Sequence, residues 1–158
     1  MMSERPTVTI STPAGDLRVA LSFDAPFTPA QAPYEREERR PEPIAHVRFE
    51  RLTLHRVTFR GTVDVRLAGK GEAGYSYVSR PGTLEDPTWK QRDKVAEYVA
   101  AAVTAHRASL LGGDLARQTR AYERDVAVAR AEEEVEAARA RLAAALAALE
   151  AAQAMPAE

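Results

Sequence analysis

Any chemistry this chain performs must come from a short list of side chains. Its three histidines, His46, His55 and His106, stand far apart, and none has another at the three- or four-residue spacing of a metal-binding helix. There is no HExxH segment and no cysteine, so neither a transition-metal site nor a thiolate nucleophile has a local sequence to build on. Asp93 and Glu97 lie one helical turn apart, which would suit a hard cation. Lys90, Arg92 and Lys94 flank them, and a solvated charged face accounts for all five. No serine sits in a GxSxG context. The run "GKGEAG" at 69–74 has the glycines and lysine of a phosphate loop but neither its spacing nor a helix after it, and reads as a mobile hairpin tip. The chain is therefore expected to use no cofactor and not to be an enzyme.

Two non-catalytic patterns are stronger. In "HRVTFRGTVDVRLAGKG" (55–71), alternate residues from Arg56 are Arg56, Thr58, Arg60, Thr62, Asp64 and Arg66, and those between are apolar or glycine. In a strand, that alternation puts a comb of cations on one face. With Arg48, Arg51 and Lys70 it makes the densest cationic stretch of the chain, and Arg48, Arg56, Arg60, Arg66 and Lys70 are the candidate nucleic-acid contacts. Asp64, between Arg60 and Arg66, is expected to neutralise them in part. Tyr75 and Tyr77 would join the cations if the turn after Leu67 has two residues, and would enter the core if it has three.

The second pattern is a seam near the C-terminus. Val128, Val135, Leu142 and Leu149 recur every seven residues, and Ala131, Ala138, Ala145 and Ala152 follow each by three. A heptad repeat of this kind marks one face of a helix that packs along another. If the helix folds back on its predecessor, the preceding segment is too short to cover the last leucines, so a second copy of the chain is the expected partner.

The elements that carry these residues can be read from period and punctuation. "PTVTISTPAGDLRVALSF" (6–23) alternates on both sides of a Pro/Gly turn and predicts a hairpin. Residues 24–43 hold five prolines and a charge run, with Phe27 and Tyr34 as the only large apolar anchors, and read as a linker or extended arm. From Ile44 to Arg80 the strand signal dominates, and changes in apolar parity predict turns or bulges near Glu50–Arg51 and His55–Arg56. A helix is predicted over 87–111, capped by Asp86 with Pro87 in its first turn, on the apolar spacing of Trp89, Val95, Val99, Val103 and Leu110. After "GGD" (112–114) a second helix runs to about Gln153 without proline or glycine. The expected fold class is α+β: an antiparallel sheet of about four to six strands packed by one helix within residues 1–111, then a long helix at 114–153 with coiled-coil character.

Composition sets the limits. The 158 residues have a net charge of −1, but residues 45–70 carry six cations against two anions while 114–158 carry six against nine. A balance this even argues against a dedicated nucleic-acid binder and against attraction to anionic membranes. The first ten residues lack the apolar region of an export signal, and the longest apolar run, Leu142–Leu149, is too short to span a bilayer; a cytoplasmic location and no membrane contact are expected. Abundant alanine and an excess of arginine over lysine suggest a GC-rich bacterial or phage genome. The expected function is a non-catalytic, small homo-oligomeric assembly or adaptor protein, such as a virion component or host-interaction factor, with itself as first partner and another protein as second. The alternative is a dimeric nucleic-acid binder that uses the arginine face.

Overall fold

The computed structural model describes residues 4–23 and 42–157. Five strands, β1 (Thr7–Thr12), β2 (Gly15–Ser22), β3 (Ile44–Leu54), β4 (Val57–Arg66) and β5 (Ala73–Ser79), form one antiparallel sheet in chain order. Helix α1 (Trp89–Thr104), a short helix α2 (Arg107–Gly112) and the long helix α3 (Asp114–Gln153) follow. The fold is α+β, as the apolar periodicities predict. The linker or arm read at 24–43 lies, but for its last two residues, outside the described residues.

Alternation builds the core. Leu17, Val19 and Leu21 of β2, Ala45, Val47 and Phe49 of β3, and Phe59, Val63 and Val65 of β4 all point to one face and are buried. Helix α1 packs against β3, β4 and β5, and its Val95, Val99, Ala100 and Val103 join that cluster. Leu110, Leu115 and Ala116 extend it. Thr119 is fully buried beside them, and its hydroxyl donates to the Leu115 carbonyl at 2.7 Å, which satisfies that buried group.

Both predicted breaks in β3–β4 exist. Phe49 pairs with Gly61 and Leu52 with Phe59, so Glu50 and Arg51 together oppose Arg60 in a bulge. The extra residue returns Leu52 to the core face and leaves the charges outside. His55 and Arg56 form the two-residue turn between the paired Leu54 and Val57, with φ of 50° and 68°. Two-residue hairpin loops favour Asn-Gly because both positions need positive φ. Replacing His55-Arg56 by Asn-Gly is expected to stabilise the fold by about 1 kcal/mol. A rise in the urea unfolding midpoint at unchanged slope is the measurement; a fall would mean that the two side chains contribute more than their backbone strain costs.

The helix boundaries differ from the sequence reading in three ways. Thr88, not Asp86, is the N-cap of α1: its hydroxyl accepts from the Gln91 amide at 3.2 Å while the Gln91 side chain accepts from the Thr88 amide at 2.9 Å. This capping box leaves Pro87 just outside the helix. The single helix read over 87–111 is broken at Ala105–His106, which separates α1 from α2. Trp89 is 67% exposed rather than part of the core. Six residues separate it from Val95, which turns it well away from the buried stripe.

The chain divides into two compact units, one up to Tyr122 and one from Glu123 onward. In the first, Arg120 stacks over the Phe23 ring at 4.4 Å and Arg5 over Tyr122 at 4.8 Å, holding the opening turns of α3 to the sheet. The second is the remainder of α3. Among the described residues, no helix is long and apolar enough to cross a membrane.

Candidate functional site

Register assembles the open face of the sheet, opposite the core. One row crosses all five strands: Thr9 is opposite Arg18, Arg18 opposite Arg48, Arg48 opposite Thr62, and Thr62 opposite Tyr77. A neighbouring row holds Thr7, Ala20, His46 and Asp64; on the other side lie Asp16, the bulged Glu50–Arg51, and Arg60 opposite Ser79.

The juxtaposition of Arg18 and Arg48 is the unusual feature. Like charges directly opposite in a sheet cost about 0.2–1 kcal/mol unless an anion lies between them. Both side chains are exposed, and among the described residues neither they nor Arg60 form an ion pair. Three shallow hollows on this face all border on Arg48. Tyr77, 63% exposed, edges the hollow shared with Arg60, and Tyr75, 73% exposed, edges the one shared with Arg18. The face thus offers guanidinium donors for an anion on its inner strands and, on β5 to one side of them, two exposed rings on which a planar group can stack.

The predicted cationic contacts are only partly brought together. Arg48 and Arg60 belong to the open face. Arg66 closes β4, where its Nε lies 3.4 Å from the Glu42 carboxylate. Arg56 stands in the β3–β4 turn rather than in the strand, and Lys70 lies exposed in the β4–β5 loop. Among the described residues Asp64 forms no ion pair with Arg60 or Arg66: its carboxylate accepts a 2.9 Å hydrogen bond from His46 Nδ1 across the strands, Arg66 has Glu42 beside it, and Arg60 has no ion pair. The tyrosines join the arginine face through neither of the two turns considered. Residues 67–72 connect β4 to β5, and a register shift between Val63 and Val65 completes the alignment. Arg18 was missed because it lies in a different segment; its position between the core residues Leu17 and Val19 marks it as outward-facing, but only register makes it a neighbour of Arg48.

The residues considered for catalysis remain separate. His106 Nδ1 lies 3.0 Å from the Ala102 carbonyl, one turn back, and His55 is in its turn. Among the described residues, no three His, Cys, Asp or Glu side chains gather as a metal ion would require. The "GKGEAG" loop is tied to α2, because Arg107 Nη2 donates to the Gly69 carbonyl at 2.6 Å.

The heptad seam is laid out along α3. Val128, Val135, Leu142 and Leu149 are 51%, 48%, 61% and 53% exposed, and Ala131, Ala138, Ala145 and Ala152 are exposed as well. Val128, Ala131 and Val135 floor a shallow furrow with Glu132 and Arg139 on its rim. Comparison with protein-family models, curated proteins and solved structures returns no match for this chain.

Proposed function

We propose that the chain is a non-catalytic, self-associating assembly protein in which α3 joins copies through a coiled coil and the sheet presents its open face to a partner. One observation carries this reading: four large aliphatic side chains at heptad spacing, each about half exposed, on a helix without a break. Isolated exposed apolar residues need no explanation, but a continuous stripe marks an interaction surface. Removing it from water is the driving force for association.

Sedimentation tests it on the full chain. The protein is expected to sediment as a multiple of its 17.3 kDa mass, and the double variant Val135→Lys, Leu142→Lys as the single chain. Lysine keeps the helix propensity and removes only the apolar seam. A wild-type chain that stays at the single-chain mass at tens of micromolar, or a variant that associates equally well, refutes the reading.

A second reading, single-stranded nucleic acid on the open face, is favoured by the presence of Tyr77 in the same row as Arg18 and Arg48. Bases stack on exposed rings while guanidinium groups hold phosphates. The acidic residues Asp16 and Glu50 on that face weigh against it.

A further inference from the structure

Resting on self-association through α3, we infer that the second copy lies antiparallel, in the register that sets Glu132 against the partner's Arg139 and Glu134 against the partner's Arg141. The alternation of large and small residues decides the direction. In a parallel pair like meets like, so layers of two valines or two leucines would alternate with layers of two alanines. Helix axes lie about 8–10 Å apart according to the side chains between them, and one separation cannot fit both kinds of layer without voids. In an antiparallel pair the two core positions face each other. Three of the four large residues then meet an alanine, and one close separation suits that part of the seam: Val128 against the partner's Ala145, Leu142 against the partner's Ala131, and Val135 against the partner's Ala138.

Charge decides the register. The charged residues flanking the seam are Asp125, Glu132 and Arg139 on one side, where Leu146 follows, and Glu134 and Arg141 on the other. Among the described residues, Glu132, Glu134 and Arg141 make no ion pair within their own chain, and Arg139 meets only Glu136, at 3.2 Å, with both side chains about three-quarters exposed. Antiparallel registers differ by one heptad, and in each the same flank of both copies comes together. A two-fold axis between Glu136 and Ala137 pairs every glutamate with an arginine, four pairs in all. Moving the axis to Ala140 sets Arg139 and Arg141 each against itself; moving it to Glu133 does the same to Glu132 and Glu134 and offers only two opposite-charge pairs, Asp125 with the partner's Arg139, against the four of the favoured register. Like charges at such close quarters suppress both alternatives. In the favoured register Leu149 lies over the aliphatic stem of the partner's Arg124, which can cover an apolar residue while its head stays in water.

Cross-linking of the full chain tests this directly, because the native sequence has no cysteine to interfere. Val128→Cys and Ala145→Cys chains, one of them mass-tagged, are mixed, allowed to exchange and mildly oxidised. The expected product is a covalent dimer of one chain of each kind, in several-fold excess over either chain linked to itself. Efficient linkage of Val128→Cys to itself indicates a parallel pair and overturns the inference. So does preferential linkage of Val128→Cys to Ala152→Cys, which places the axis at Ala140. Sedimentation of the unmodified chain runs alongside: a single-chain mass overturns self-association and the orientation with it, whereas a dimer with the wrong cross-links overturns the orientation alone.

Discussion

Gly61→Ala is expected to cost about 3–4 kcal/mol of stability, at the upper end for a single substitution. Gly61 has a φ of +156°, and a Cβ built on it would lie 2.0 Å from the Tyr77 carbonyl oxygen and 3.0 Å from the Val78 Cα. Both obstacles are backbone atoms of β5, so no rotamer change can relieve the contact. The strands must part, and parting them would disturb both Val78 in the core and Tyr77 on the open face. Gly74→Ala is the matched control. Its Cβ would stand 3.6 Å from the Asp64 carbonyl, an ordinary contact, and the expected change is within about 0.5 kcal/mol. Urea unfolding of both variants gives the comparison. A Gly61→Ala cost below about 1 kcal/mol would mean that β5 is held less tightly than the register implies.

Gly61 also shows where reading the sequence stops. Within one strand, side chains alternate strictly, so a change of apolar parity must appear as a bulge or a turn, and those at Glu50–Arg51 and His55–Arg56 were both readable. What lies opposite a residue depends on loop length and bulges elsewhere. Gly61 reads as a break in an apolar row until the Tyr77 backbone is seen against it. The same holds for Tyr75 and Tyr77, whose side of the sheet follows from the 67–72 connection and the shift near Val63. Helix starts fail for another reason. Asp86 and Thr88 are both competent caps around Pro87, and the reciprocal bond from Gln91 selects Thr88. The seam from Val128 to Ala152 could be listed from spacing alone, but its occupant is a property of two chains.

Removing one arginine from the Arg18–Arg48 pair is expected to move stability and binding in opposite directions. Thr62 already continues the row beyond Arg48, and threonine suits an exposed strand position, so Arg48→Thr preserves the local β preference. With no anion present, it relieves the repulsion from Arg18 and should raise stability by about 0.2–1 kcal/mol. The gain should shrink as salt screens the charges. If the open face holds single-stranded nucleic acid, the same variant should bind a labelled oligothymidylate more weakly, and the slope of log affinity against log salt should fall by about one for the lost phosphate contact. Tyr77→Ala should weaken binding by about tenfold to a hundredfold, the value of one stacked base, and leave the salt slope unchanged. The two variants therefore separate electrostatic attachment from stacking. Oligothymidylate that fails to bind wild type even at low salt excludes this use of the face. In that event, a stability gain in Arg48→Thr would still show that the sheet tolerates a repulsive pair at its centre, the charge pattern an acidic protein partner would relieve.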